Sequence, residues 1–133
     1  MHEYAHWQTV RLLRRLAKET SRTARSSDAD TIHDLRVAIR RMNGCLALFA
    51  QFYPGRSRKG LKKELKGVMK ACGEVRDRDI ALRLLADAGA PATSAVARRL
   101  AGERKEAARR LRSALKHWNN RRFSSQWRAR LGL

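Results

Sequence analysis

Apolar residues recur along most of the chain at the three- and four-residue spacing of an α-helix, and no stretch alternates with the two-residue period of a strand. The clearest case covers residues 31–53, where Ile32, Leu35, Ile39, Met42, Leu46, Phe49 and Tyr53 fall on one face at about 100° per residue. His33, Arg36, Arg40 and Gly44 fall on the opposite side. Asp30 or Thr31 is the expected N-cap of this helix, and Pro54-Gly55 ends it. A first helix is predicted from Glu3 to Arg25, with His6, Val10, Leu13, Leu16, Ala17 and Thr20 inward and Arg11, Arg14, Lys18, Arg22 and Arg25 outward. A third starts after Ser57, carrying Leu61, Leu65, Val68, Met69 and Cys72 on its apolar face. Gly73 is expected to loosen it before a second stretch from Arg76 to Leu85. Ala88-Gly89-Ala90-Pro91 reads as a helix stop and restart. A fourth helix then runs to Trp118 on Ala97, Leu100, Ala101, Ala108, Leu111, Leu115 and Trp118, and the tail adds a short helix on Phe123, Trp127 and Leu131. Short connections between long amphipathic helices favour antiparallel neighbours. The predicted fold is therefore all-α, an antiparallel four-helix bundle with a short C-terminal helix, forming one domain over residues 1–133.

Charge changes this picture. The chain carries 31 Lys+Arg against 12 Asp+Glu, a formal net charge of +19. Self-repulsion on that scale costs stability and points to an anionic partner such as nucleic acid, an anionic membrane or a polyphosphate-type metabolite. Cys45 and Cys72 lack CxxC spacing and read as free, buried thiols of a reducing cytoplasm. No apolar run reaches the roughly 18 residues of a membrane span, and no secretory signal is seen at the start, so a cytoplasmic location is expected.

The cations are sorted rather than scattered. His33, Arg36 and Arg40 lie within about one-sixth of a turn of their mean direction on the second helix. Arginine presents a planar fork to phosphate oxygens in charge-assisted bonds. Lys59, Lys62, Lys63, Lys66 and Lys70 form a row on the third helix spanning about 16 Å at 1.5 Å per residue, long enough to accompany several phosphates. The bland alternative is a solvated charged face, but neither row contains a balancing Asp or Glu. In Arg76-Asp77-Arg78-Asp79 the aspartates are expected to hold neighbouring arginines, with Asp79 and Arg83 spaced as an i,i+4 pair. Arg104 interrupts the apolar side of the fourth helix and reads as groove-facing or snorkelling. Trp7, Trp118 and Trp127 are expected to pack against apolar residues rather than stack on bases. No HExxH, Walker loop, GxSxG or dense carboxylate cluster is present. No catalytic residue, metal site or cofactor is expected.

The segments HDLRVAIRRM and EVRDRDIALRLL, with a lysine-rich helix between them, resemble the CHAD family, the conserved histidine α-helical domain, over residues 5–118. The resemblance implies a helical bundle with a basic surface or pore that binds inorganic polyphosphate, often beside a CYTH triphosphatase domain or at polyphosphate granules. Carried over by position, it makes His33, Arg36, Arg40 and Arg41 the motif residues, Lys62, Lys63 and Lys66 with Lys59 and Lys70 the basic positions of the next helix, and Arg76 the arginine of the RDxD motif. Arg41 lies about 80° from the His33 direction. Asn43 stands where the family usually continues with arginine. A full family domain resembles two pseudo-symmetric four-helix bundles, and this chain is long enough for one, so a homodimer lining a shared channel is expected. The function expected is non-catalytic polyphosphate binding, with non-specific nucleic-acid binding as the alternative and nucleic acid as the competing polyanion.

Overall fold

A computed structural model describes residues 1–120 and 122–133, the side chain of residue 120 excepted. It contains α1 (His2–Arg25), α2 (Ala29–Leu48), a 3-10 turn at Ala50–Phe52, α3 (Gly55–Asp87), α4 (Ala95–Asn120) and α5 (Phe123–Leu131), and no strand among the described residues. α1 packs on α2, α2 on α3, α3 on α4 and α4 back on α1, so the four long helices form a ring, and α5 closes against α1, α3 and α4. No described helix is long and apolar enough to cross a membrane.

The α2 pattern folds as its periodicity dictates: all seven apolar positions from Ile32 to Tyr53 are buried. Its boundaries differ from expectation. The N-cap is Asp28, whose carboxylate accepts the Thr31 N–H at 2.9 Å, because a residue two or three positions ahead of the first free N–H groups is the one that reaches them. At the other end the helix stops at Leu48, and a 3-10 turn carries Phe49 and Tyr53 inward before Pro54. α3 is one unbroken helix through Gly73, whose added Cβ would meet nothing within 4 Å. The loosening expected there does not occur, since packing against α4 and α2 on both sides of Gly73 outweighs the roughly 1 kcal/mol propensity cost.

Two inward faces need correction. On α1, His6, Val10 and Ala17 are only half-buried, while Thr9, Glu19 and Thr23 are buried. Thr9 and Thr23 satisfy their hydroxyls by donating to the carbonyls of Ala5 at 2.7 Å and Glu19 at 2.8 Å. Glu19, with no exposed surface, meets Arg15 at 3.1 Å and Arg22 at 2.9 Å. A buried carboxylate is tolerated when it is ion-paired, and here Oε2 also accepts a hydrogen bond from Arg22. On α4, Ala107 replaces the exposed Ala101, and Leu100 is half-buried. The α1–α2 turn sits level with Arg104, which donates to the Ser27 carbonyl at 2.8 Å, so the start of α4 runs past the other helices. Trp127 is 2% exposed and Trp118 stacks on Phe123 at 4.1 Å, whereas Trp7 is 57% exposed beneath Arg11.

Cys45 and Cys72 are free and buried. Burial pushes the Cys72 thiol up to about 11 and raises Cys45 and Tyr53 as well. A group whose folded pKa is raised stabilises the fold fully below its unfolded value and loses that contribution as pH climbs through the folded one. Thermal stability is therefore expected to fall between about pH 9 and pH 11. Melting curves of Cys72→Ala across that range should fall less steeply than those of the parent; equal slopes would remove Cys72 as the cause.

A candidate polyanion site between α2 and α3

Because α2 and α3 are antiparallel neighbours, the first turns of α2 lie beside the C-terminal half of α3. A groove of about 440 Å³ runs between them. Ala29, Ile32, His33 and Arg36 border it from α2, and Arg76, Asp79, Ile80 and Arg83 from α3. His33, Arg36, Arg76 and Arg83 have no carboxylate within 4.0 Å among the described residues.

Arg36 is the centre of this arrangement. Its Nε is buried and finds no acceptor. Burial first, and then repulsion from Arg76 and Arg40, pushes its guanidinium below the usual pKa, against an opposing pull from Cys72 and Asp77. The group stays protonated throughout the physiological range, because a guanidinium starts from so basic a value. A half-buried guanidinium with cations for neighbours is unfavourable by itself and is relieved by an anion in the groove it lines.

Two acids approach this groove: the exposed Asp77, which attracts Arg36 without closing to an ion pair, and Asp79, which is engaged elsewhere. Asp79 accepts from Arg104 Nε at 3.0 Å, and Arg104 also clasps the α1–α2 turn. The expected Asp79–Arg83 pair does not form: the carboxylate turns across to α4, and Arg83 is left to the groove. Two further acids pair across α3 and α4, Glu74 with Arg110 at 3.7 Å and Glu103 with Arg78 at 3.6 Å, while Glu106 pairs within α4 with Arg109 at 2.6 Å. The acids between α3 and α4 are thus largely taken up by arginines of those helices, and the groove cations on α2 receive none of them.

The structure brings together His33, Arg36 and Arg76, with the exposed Arg40 one turn beyond Arg36 and electrostatically coupled to it. The lysine row is separate. Lys59, Lys62, Lys63, Lys66 and Lys70 are all exposed, and none borders the groove. By helical angle Lys62 and Lys66 stand within about 80° of Arg76 and extend its side of α3, while Lys59, Lys63 and Lys70 turn about 100–140° away. Arg41 lies on the other flank of α2, facing Arg11, Arg14, Arg15 and Lys18 of α1. Arg83 was not singled out as a site residue in the sequence; its spacing of seven from Arg76, two helical turns on one face, was the available signal. Among the described residues no group of three or more His, Cys, Asp or Glu gathers as a metal ligand set.

The family model described as CHAD domain matches residues 10–132. The chain belongs to the CHAD family. The CHAD domain is a polyphosphate-related domain. Comparison of this CHAD chain with curated proteins and with solved structures finds no match. The HDLR-to-RRM motif of this CHAD domain straddles α2, with His33 and Arg36 on the groove side and Arg41 on the α1 side.

Proposed function

We propose that this CHAD domain binds inorganic polyphosphate, without turning it over, in the groove between α2 and α3. The observation that carries the reading is Arg36: a half-buried guanidinium lining the groove, pressed by Arg40 and Arg76 and with no carboxylate within 4.0 Å among the described residues. Two helices fix these cations at set distances, as a flexible basic tail does not, and that suits a polymer of repeating phosphates. Lys62 and Lys66 offer a continuation for a longer chain along α3, with Lys59, Lys63 and Lys70 adding to the field. Nucleic acid presents the same phosphates, so competition separates the two readings. Long-chain polyphosphate should displace labelled duplex DNA from the protein, and duplex should displace polyphosphate poorly. The reverse order would favour nucleic acid. Incubation of polyphosphate with the protein and Mg²⁺ or Mn²⁺ should release no phosphate; steady release would make the domain an enzyme.

We also propose that two copies pair at the projecting α3–α4 end. Ile80, Leu84 and Val96 are 43%, 64% and 56% exposed there, and Ile80 also borders the groove, so a copy seated on this end prolongs the cationic lining. Light scattering after size exclusion should give a dimer, and Leu84→Asp a monomer. A monomeric parent protein at high concentration, with and without polyphosphate, overturns the pairing. A cytoplasmic location and association with polyphosphate granules are part of the same proposal.

A further inference from the structure

The groove does not end at His33. That residue also borders a hollow of about 260 Å³ on the opposite flank of α2, together with Arg15, Asp34 and Arg41. Arg15 and Arg41 in turn border a third hollow, of about 400 Å³, with Arg11, Arg14 and Lys18. The three depressions share lining residues in sequence, His33 between the first and second and Arg15 with Arg41 between the second and third. They form a cationic collar around α2.

We infer that this collar holds a second stretch of the same polyanion, so that a long phosphate chain leaves the α2–α3 groove, crosses α2 at His33 and seats against Arg41, Arg14 and Lys18. The inference rests on the polyphosphate reading and adds a second subsite to it. Three observations support it. Arg11, Arg14, Lys18 and Arg41 have no carboxylate within 4.0 Å among the described residues. The spacing of Arg11, Arg14, Arg15 and Lys18 makes i,i+3 and i,i+4 pairs of like charge, which weaken a helix unless an anion lies between them. The two acids at this flank are already committed: Asp34 meets Arg22 at 3.3 Å, and Glu19 holds Arg22 and Arg15 from inside the core. Arg15, ion-paired with the buried Glu19, stands at the shared rim of two hollows. A short oligomer fills only the first groove, whereas a long chain reaches both flanks, so affinity depends on chain length.

The test compares tripolyphosphate with a chain of several tens of phosphates on the full-length protein. Arg14→Gln with Lys18→Gln removes two exposed cations that make no ion pair, and circular dichroism checks that the fold is kept. Taking about 0.7 counterions released per contact, as for a single strand, the slope of log K against log salt for the long chain should shrink by about 1.4. The same slope taken relative to 1 M salt makes the loss of long-chain affinity roughly 25-fold at 0.1 M. Arg41→Gln alone should lose about 5-fold on the same basis. Tripolyphosphate should bind each variant as it binds the parent. Unchanged long-chain affinity and slope in both variants would overturn the second subsite and leave the groove reading intact. Equal losses for both chain lengths would also overturn it, because they would report a diffuse field instead of contacts. Failure of the groove reading has a different signature: Arg36→Gln with Arg76→Gln would then leave tripolyphosphate binding untouched.

Discussion

Replacing Arg36 and Arg76 together by glutamine is expected to weaken polyphosphate binding by about 10²- to 10⁴-fold while leaving the melting temperature unchanged or slightly raised. The two residues face the same groove from different helices, and each would give charge-assisted bonds worth about 1.5–3 kcal/mol to a phosphate. Their loss removes that energy twice. Without ligand the balance runs the other way. Arg36 is penalised by burial and by the nearness of Arg76 and Arg40, so removing the pair relieves a repulsion that Asp77 only partly offsets. Opposite signs for binding and stability distinguish this account from one in which the arginines serve packing. Isothermal titration and differential scanning on the same variant give both numbers. A variant that unfolds, or one that keeps its affinity, would remove the groove from consideration. Salt provides a companion measurement: log affinity of the parent should fall linearly with log salt, and the double variant should show a shallower line.

The second large effect concerns the frame. Trp127→Ala is expected to cost about 3–5 kcal/mol, the range for deleting a large aromatic from a core. Trp127 is 2% exposed, its indole N–H donates to Glu64 at 3.2 Å, and Arg130 lies 4.7 Å over its ring. Its ring edge rests against Gly60 so closely that a Cβ there would sit 3.3 Å away. This one side chain therefore fastens α5 onto α3, and its loss opens the end of the bundle where α1, α3 and α4 meet the tail. Urea unfolding followed by circular dichroism measures the change. A cost below about 1 kcal/mol would mean that α5 is not integral to the fold, since surface substitutions rarely exceed about half that value. Polyphosphate binding per folded molecule should survive the substitution, because the groove lies at the other end of α3.

How far the sequence carried can be argued residue by residue. The α2 face was legible because a strict three-to-four spacing of large apolar residues leaves one orientation that buries them all. The sorting of His33, Arg36 and Arg40 onto the opposite side followed from the same geometry. What escaped was whatever depends on a neighbouring helix. Glu19 reads as a surface acid until Arg15 and Arg22 are seen to close over it, and Thr9 and Thr23 as polar until their hydroxyls are seen to bond back to their own helix. Asp79 had a local partner at the correct spacing in Arg83, yet it is drawn to Arg104, twenty-five positions along the chain. That tertiary choice frees Arg83 for the groove. The lysine row and Arg41 were correctly read as cationic, but a helical angle taken on one helix does not tell which neighbour it faces. Arg41 faces α1, and the lysines stand beside the groove rather than in it.

The central claim is that cations of α2 and α3 converge on a single polyanion. A crystal structure of the protein grown with tripolyphosphate tests it most directly. The account predicts phosphate density in the groove of about 440 Å³, with oxygens within hydrogen-bonding distance of the Arg36 and Arg76 guanidinium groups. Tripolyphosphate ordered on another face of the bundle, with the groove holding only water and the Arg36 guanidinium still without an anionic acceptor, would contradict it.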